Sequence, residues 1–143
     1  MSDIKITVAL VSGLFALLGG FLGAWLTRRT EYEKWIRQQR SNEYTEFIRQ
    51  LEKLRSKARL IIYDSEVDNQ AKDIQITELF SELKPQENIV RLYLDGSDRD
   101  KFSKLLHAHW SYYSPTVEQS LRMKKEEELM QSIQSLFENT IKG

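Results

Sequence analysis

The uncharged stretch from Ile6 to Thr27 constrains this chain more than any other part of its sequence. As an α-helix it extends about 33 Å, which is enough to cross the hydrocarbon core of a bilayer. Trp25 lies near its end, where an amphipathic ring suits the headgroup layer, and Arg28 and Arg29 follow directly. The stretch therefore predicts a membrane-spanning helix, with Trp25, Arg28 and Arg29 at the membrane interface and membrane lipid as a partner.

This helix is expected to remain attached to the protein, because the sequence lacks the features of a cleaved signal peptide. The residues before it carry no net side-chain charge, the apolar run is too long, and Arg28-Arg29 stands where small residues would precede a cleavage site. Basic residues cluster only after the helix, and such residues stay on the cytoplasmic side. We therefore expect residues 1–27 to form a short outside N-terminus and the span in the inner membrane, with the C-terminal domain in the cytoplasm.

Small residues recur along one side of the predicted span at spacings of three and four. They are Ala9, Ser12, Ala16, Gly19, Gly20, Gly23 and Ala24. Such a row lets a second helix approach closely, so that dispersion forces hold the pair together. The row predicts helix packing within the membrane, either with another copy of this chain in a homo-oligomer or with another membrane protein.

Beyond Arg28 the helix is expected to continue, because neither Pro nor Gly occurs between Gly23 and Pro85. Apolar residues at three–four spacing predict a buried face on this continuation. They are Tyr44, Phe47, Leu51, Leu54, Ala58 and Ile61. We interpret residues 28–64 as a juxtamembrane amphipathic helix. Its apolar pattern covers fewer than three heptads, which favours a bundle helix over a long coiled coil.

Residues 65–143 are expected to form a helical domain that packs on the 44–62 face. The polar segment 64–73 is typical of a loop, and a short amphipathic helix follows and ends before Pro85. Pro85 suits the first turn of the next helix. That helix includes the strand-like residues 89–94 and is predicted to end at Asp95-Gly96, with Gly96 in the left-handed conformation.

Two further helices complete the predicted domain. Ser97 is expected to cap the first of them. Ser114-Pro115 is expected to begin the second, which runs to about Ile141 and has a solvated charged middle, residues 122–128. Tyr112 lies near the end of the first of these two helices, off its apolar face, so it is the candidate for a partner contact.

No set of residues indicates catalysis or a bound cofactor. The chain has no cysteine, which excludes disulfides and thiolate metal sites. His107 and His109 point in nearly opposite directions on a helix, so they cannot share a metal ion. Asp98 and Asp100 suit the positive end of a helix better than a cation site. We expect no metal, no cofactor and no small-molecule substrate.

The charge distribution points to a membrane surface rather than to nucleic acid. Residues 28–59 contain ten basic and five acidic residues, a net charge of +5, whereas residues 60–100 have a net charge of −6. Basic residues close to a membrane anchor are attracted to anionic lipid. The cations between residues 49 and 59 are distributed around the helix instead of along one side, so we expect no nucleic-acid partner.

Two short motifs resemble a known group of proteins. They are Trp35-Ile36-Arg37-Gln38-Gln39-Arg40 after the predicted span, and Ile89-Val90-Arg91-Leu92-Tyr93-Leu94-Asp95-Gly96 before an aspartate-rich helix start. In these motifs the chain resembles a loose group of small bacterial single-pass membrane proteins, largely of unknown function, which have Asn-Pro where this chain has Asp95-Gly96. Some members of that group resemble membrane proteins encoded near phage-defence genes.

These observations predict an all-α, single-pass membrane protein with a cytoplasmic helical domain. The expected function is non-enzymatic: a membrane-tethered interaction or scaffold protein that self-associates or docks a partner. Two alternatives stay open. One is a membrane-disrupting effector of defence or toxin type whose spans assemble in the bilayer, and the other is a membrane-anchoring accessory subunit of a larger complex.

Overall fold

The computed structural model describes residues 2–142, and it confirms the all-α prediction. Of these residues 88% are helical and none lies in a strand. The five helices are α1 (Ser2–Tyr63), α2 (Asn69–Ser81), α3 (Lys84–Leu92), α4 (Gly96–Ser111) and α5 (Gln119–Lys142). The N-terminal part of α1 is a helix long and apolar enough to cross a membrane.

The chain divides into two compact units. The described residues of the first, Met1–Gln38, form the N-terminal part of α1, which begins at Ser2. The second, Gln39–Gly143, contains the rest of α1 together with the other four helices. The hydrophobic core lies in this second unit, where it draws residues from all five helices and from the turns between them.

The apolar face of α1 forms one side of that core. Tyr44, Phe47, Leu51, Leu54 and Ala58 are buried, Ile61 is partly buried, and Ile62 is buried one position further on. The Phe47 ring meets Phe102 of α4 at 5.2 Å and Phe137 of α5 at 5.9 Å between centroids. Tyr44 stacks on Phe137 at 4.2 Å. Aromatic contacts of this kind fix how α1, α4 and α5 pack.

The turn after α1 is shorter than the sequence predicts. We expect a loop over residues 64–73, but α2 already begins at Asn69 because the Asp68 carboxylate accepts the backbone N–H of Ala71 at 2.7 Å. The buried Lys72 then donates from Nζ to the Ile62 carbonyl at 2.9 Å. The ammonium group gives a hydrogen-bond donor to a carbonyl at the C-terminal end of α1, and its positive charge interacts favourably with the negative end of the helix dipole.

Pro85 occupies the first turn of α3, as predicted, and the strand-like residues that follow are helical up to Leu92. The start of α4 differs from the prediction. Gly96 does not end α3 in the left-handed conformation. It is the first residue of α4, and its φ angle is not positive. Asp95, not Ser97, caps the helix: its side chain accepts the Asp98 N–H at 2.9 Å.

Replacing Asp95 with alanine is expected to lower the free energy of unfolding by about 1 kcal/mol, because the Asp98 N–H loses its acceptor. Ser97→Ala is the matched control, with a change within about 0.5 kcal/mol. Urea unfolding of the full-length protein in mild detergent measures both. Equal losses for the two variants would show that Asp95 is not the cap.

The last helix begins later than predicted. Ser114 and Pro115 lie in the turn, and α5 starts at Gln119. The cause is Arg122, whose side chain is buried against the turn. Its guanidinium donates to the backbone carbonyls of Tyr112 at 3.1 Å, Ser114 at 3.1 Å and Val117 at 2.8 Å. Three carbonyl contacts hold residues 112–117 in a non-helical path.

Candidate functional site

A buried ionic cluster joins α5 to α1. The centre of the cluster is Glu126, which is only 3% exposed. Its carboxylate accepts from Arg55 Nη2 at 3.2 Å and from Arg59 Nη2. Arg55 also donates through Nε to the hydroxyl of Tyr113 at 2.9 Å. The cluster therefore connects α1, α5 and the turn after α4 through charge-assisted hydrogen bonds.

The sequence prediction of a solvated middle in α5 is wrong at two positions. Arg122 and Glu126 are both buried, while Glu127 and Glu128 are exposed. Arg122, Glu126 and Met130 follow one another at intervals of four, which places them on the core face of α5. The charged run thus contains two core positions, and the charged side chain at each of them is hydrogen-bonded to polar groups of the protein.

The cluster holds Glu126 in its ionised form. Burial by itself raises the pKa of this carboxyl, but hydrogen bonds from Arg59 and Tyr113 and the charge of Arg55 outweigh it, so the net pKa lies below the ordinary value. Burial raises the pKa of the Tyr113 phenol, and the nearby carboxylate adds to this effect. A general base works best with a pKa near 7. Glu126 is therefore suited to fixing two helices together, not to moving protons.

His109 lies beside this cluster, 1% exposed, with its ring 5.4 Å from that of Tyr113. Neither ring nitrogen has a hydrogen-bond partner. Burial lowers the pKa of His109 to about 4, and the charge of Arg55 contributes in the same direction. His109 is therefore neutral at pH 7.

The other histidine, His107, is exposed. The part of the chain that the structure describes has no group of three side chains suited to holding a metal ion.

The predicted packing row of the span lies on a fully exposed segment of α1. Its residues are Ala9, Ser12, Ala16, Gly19, Gly20, Gly23 and Ala24, and none is buried. A Cβ atom added at Gly19, Gly20 or Gly23 would meet no atom within 4 Å. Space for a second helix is therefore present along the row, and the prediction that such a helix packs there stays a prediction.

The predicted interface residues are exposed as well. The guanidinium of Arg29 lies 5.8 Å from the centre of the Trp25 ring, and it pairs with Glu33 at 3.4 Å. One turn further, Tyr32 stacks on Trp35 with 6.0 Å between centroids. Aromatic and basic side chains thus continue together past the apolar segment, a combination typical of a membrane–water interface.

Tyr112, the predicted partner contact, is the C-cap residue of α4 and is partly exposed. Its carbonyl is occupied by the Arg122 guanidinium, so its backbone is fixed by the domain itself. The contact with a partner stays a prediction.

Sequence reasoning missed the ionic cluster, although one signal for it was present. Arg55 lies between Leu51 and Ala58 at spacings of four and three, in the middle of the apolar face of α1. A cation at such a position requires a buried acceptor from another element. The acidic middle of α5 supplies that acceptor, but the pairing of Arg55 with Glu126 could not be identified without knowing which faces meet.

Comparisons of the chain with protein-family models, with curated proteins and with solved structures find no match.

Proposed function

We propose that this chain is a non-enzymatic, membrane-tethered interaction protein, in which residues 6–27 span the inner membrane and the domain of residues 39–143 lies in the cytoplasm. One observation supports the tether above all others. The large apolar side chains between Ile4 and Leu26 are 49–75% exposed, although the second unit has a complete core of its own. Apolar surface of this extent requires lipid or another protein around it.

The charges on both sides of the proposed span support this orientation. Arg28, Arg29 and Lys34 are exposed immediately after it, whereas Asp3 and Lys5 before it cancel each other. Basic residues near the end of a span stay in the cytoplasm. The same cations are attracted to anionic headgroups, at about 1 kcal/mol for each residue near the surface.

The cytoplasmic domain is suited to presenting a fixed surface. Its helices are joined by the aromatic contacts of Phe47 and by the buried pairing of Glu126 with two arginines. A buried ion pair is weak evidence for stability, but an arrangement of the helices that left Glu126 or Arg55 buried without its partner would be costly. We expect such a domain to keep its surface residues, such as the partly exposed Tyr112, at defined positions for a partner.

Within the membrane, we propose self-association through the small-residue row. Replacing Gly19 and Gly23 together with isoleucine adds bulk where a second helix would approach, so the protein is expected to shift from an oligomer to a monomer. The mass of the detergent-solubilised protein, measured by light scattering with the detergent contribution subtracted, reports the change.

The matched control replaces Leu14 and Leu18 with isoleucine. These residues have the same spacing of four and lie on the opposite side of the helix. We expect the control to keep the oligomeric mass. If the glycine variant keeps it too, or if the unmodified protein is already a monomer, the row is not a self-association surface.

A further inference from the structure

One side of α1 carries large side chains from the proposed span into the segment that follows it. At 3.6 residues per turn these positions fall within an arc of about 80° around the helix axis. They are Leu14, Leu17, Phe21, Trp25, Arg28, Tyr32 and Trp35, at spacings of three and four. The last four of them form what we term the aromatic stripe, which lies on the side of the helix opposite Gly19 and Gly23.

The side chains of the aromatic stripe are open to an occupant. Trp25 is 51% exposed, Tyr32 63% and Trp35 55%. Arg28 is exposed too, and among residues 2–142 no carboxylate lies within ion-pair distance of its guanidinium. It differs in this from Arg29, which has an acidic partner one turn away. The stripe therefore presents an unpaired cation between aromatic rings.

The stripe extends further along the helix than the membrane would reach on a perpendicular span. Trp35 lies eight residues beyond Thr27, the last residue of the uncharged stretch, so its Cα is about 12 Å further along the axis. The headgroup layer is only about 5–8 Å thick on each side of the hydrocarbon core. If α1 crossed the bilayer perpendicularly, the Trp35 backbone would therefore lie in water beyond the headgroups.

A tilt of α1 towards the aromatic stripe brings these rings closer to the headgroups. The uncharged stretch is about 3 Å longer than the hydrocarbon core, and a span of excess length is accommodated by tilting. Interfacial Trp, Tyr and Arg side chains set the direction of such a tilt. Because Cα–Cβ bonds incline towards the N-terminus of a helix, the side chains of Tyr32 and Trp35 also lean back towards the span.

We propose that the aromatic stripe is a binding surface for the headgroups of anionic phospholipids, onto which α1 tilts as it leaves the bilayer. This rests on the proposed membrane tether and adds to it a lipid partner and a direction of tilt. The Arg28 guanidinium pairs with a lipid phosphate, and the three rings lie among the headgroups.

Charge complementarity favours anionic lipid as the occupant. Residues 25–38 contain four basic and two acidic residues, a net charge of +2. Phosphatidylcholine has a phosphate too, but its own ammonium group neutralises that charge. Lipids without such a group keep a negative surface potential, which attracts basic segments next to a span.

Tryptophan fluorescence of the full-length protein in nanodiscs tests this surface. Replacing two of the three tryptophans with phenylalanine leaves either Trp35 or Trp25 as the only emitter, and Trp110→Phe keeps an aromatic ring against Phe80. Acrylamide, a neutral quencher in water, reports how well the indole is shielded. Phosphatidylcholine brominated near the top of its acyl chains reports contact with lipid.

Replacing about one third of the phosphatidylcholine with phosphatidylglycerol is expected to shield Trp35. Acrylamide quenching of Trp35 should become at least about twofold weaker than in pure phosphatidylcholine, and quenching by the brominated lipid should become stronger, because anionic headgroups hold the stripe at the surface. Equal quenching of Trp35 in the two mixtures would overturn the proposal.

Two arginine variants separate the stripe from general attraction to anionic lipid. Arg28→Gln removes the cation of the stripe, so the phosphatidylglycerol fraction that gives half of the Trp35 change should rise about fivefold. Arg37→Gln removes the same charge from the opposite side of the helix, about 10 Å away and thus about one Debye length. It should change this fraction by less than about twofold. Equal effects of the two variants would overturn the proposal.

Trp25 distinguishes failure of the surface from failure of the tether. We expect Trp25 to be shielded from acrylamide and quenched by the brominated lipid in both mixtures. If it is, while Trp35 stays open to acrylamide in both, the tether holds and the binding surface is overturned. Shielding of Trp35 without quenching by the brominated lipid would mean that a protein, such as a second copy of this chain, covers the stripe, which also overturns it. If the brominated lipid does not reach Trp25 either, the tether itself is contradicted.

Discussion

Replacing Glu126 with glutamine is expected to lower the free energy of unfolding by about 3 kcal/mol, the largest effect of any conservative change to the charged residues of this chain. Glutamine has nearly the same shape and still accepts a hydrogen bond, but it leaves Arg55 without a counter-charge. The Arg55 side chain is 12% exposed, so water cannot replace the lost carboxylate. Removing one member of a buried pair is costly for this reason, even where the intact pair adds little.

Glu128→Gln is the matched control, since Glu128 lies on the same helix and pairs with Lys125 at 3.1 Å but is 47% exposed. Its loss is expected to be below about 0.5 kcal/mol, as for other exposed pairs. Urea unfolding of the full-length protein in mild detergent, followed by far-UV circular dichroism, measures both variants. Similar values for Glu126 and Glu128 would mean that the cluster does not stabilise the domain.

Lowering the pH from 7 to 4 is expected to reduce the free energy of unfolding by about 3 kcal/mol through His109 alone. The unfolded chain takes up a proton on this residue near pH 6.5, whereas burial and the charge of Arg55 lower its pKa in the folded domain to about 4. The unfolded state therefore binds more protons between pH 6.5 and pH 4. Stability falls as the pH falls through that window.

The charged groups around His109 decide the sign of this effect. Arg55 and Arg59 disfavour the protonated ring and Glu126 favours it, with burial the largest contribution. His109→Leu removes the titrating group and should flatten the stability profile between pH 6.5 and pH 4. His107→Leu, at an exposed position, should keep the slope. A slope that survives in His109→Leu would assign the pH dependence to other groups.

The helical architecture could be predicted largely from the sequence, because one long pattern determines it. The absence of Pro and Gly after Gly23, together with the apolar spacing from Tyr44 onward, predicts a helix to about residue 64, and α1 ends at Tyr63. Pro85 gives the start of α3 for the same local reason: its fixed φ angle suits a first turn. These features depend on neighbours in the chain, which a sequence shows directly.

The helix starts and the buried charges were predicted less well. Asp95 and Ser97 are both good capping residues, and the choice between them depends on where the helical backbone begins, which is at Gly96, directly after the extended Asp95. Arg122 bonds to three carbonyls of the turn that lie 5, 8 and 10 positions earlier in the chain, a contact that helical periodicity does not predict. The pairing of Arg55 with Glu126 joins residues 71 positions apart, so no local pattern contains it.

The candidate sites also differ in whether local sequence or tertiary packing determines them. The small-residue row and the interface residues of the span are read from local spacing, and the exposure of the whole segment leaves them available. The contact of Arg55 with Tyr113 in the ionic cluster has no local sequence signature, since the two residues lie 58 positions apart and meet only through tertiary packing.

Sealed membrane vesicles of known orientation, divided into one portion that is washed with carbonate and one that is digested with protease, test the membrane tether and its direction. The full-length protein is expected to stay in the membrane pellet after the wash, because its apolar helix is held by lipid. Proteinase K should remove the domain of residues 39–143 in inside-out vesicles and leave it intact in right-side-out vesicles. Release of the intact protein by the wash, or digestion of the domain in right-side-out vesicles, would contradict this account.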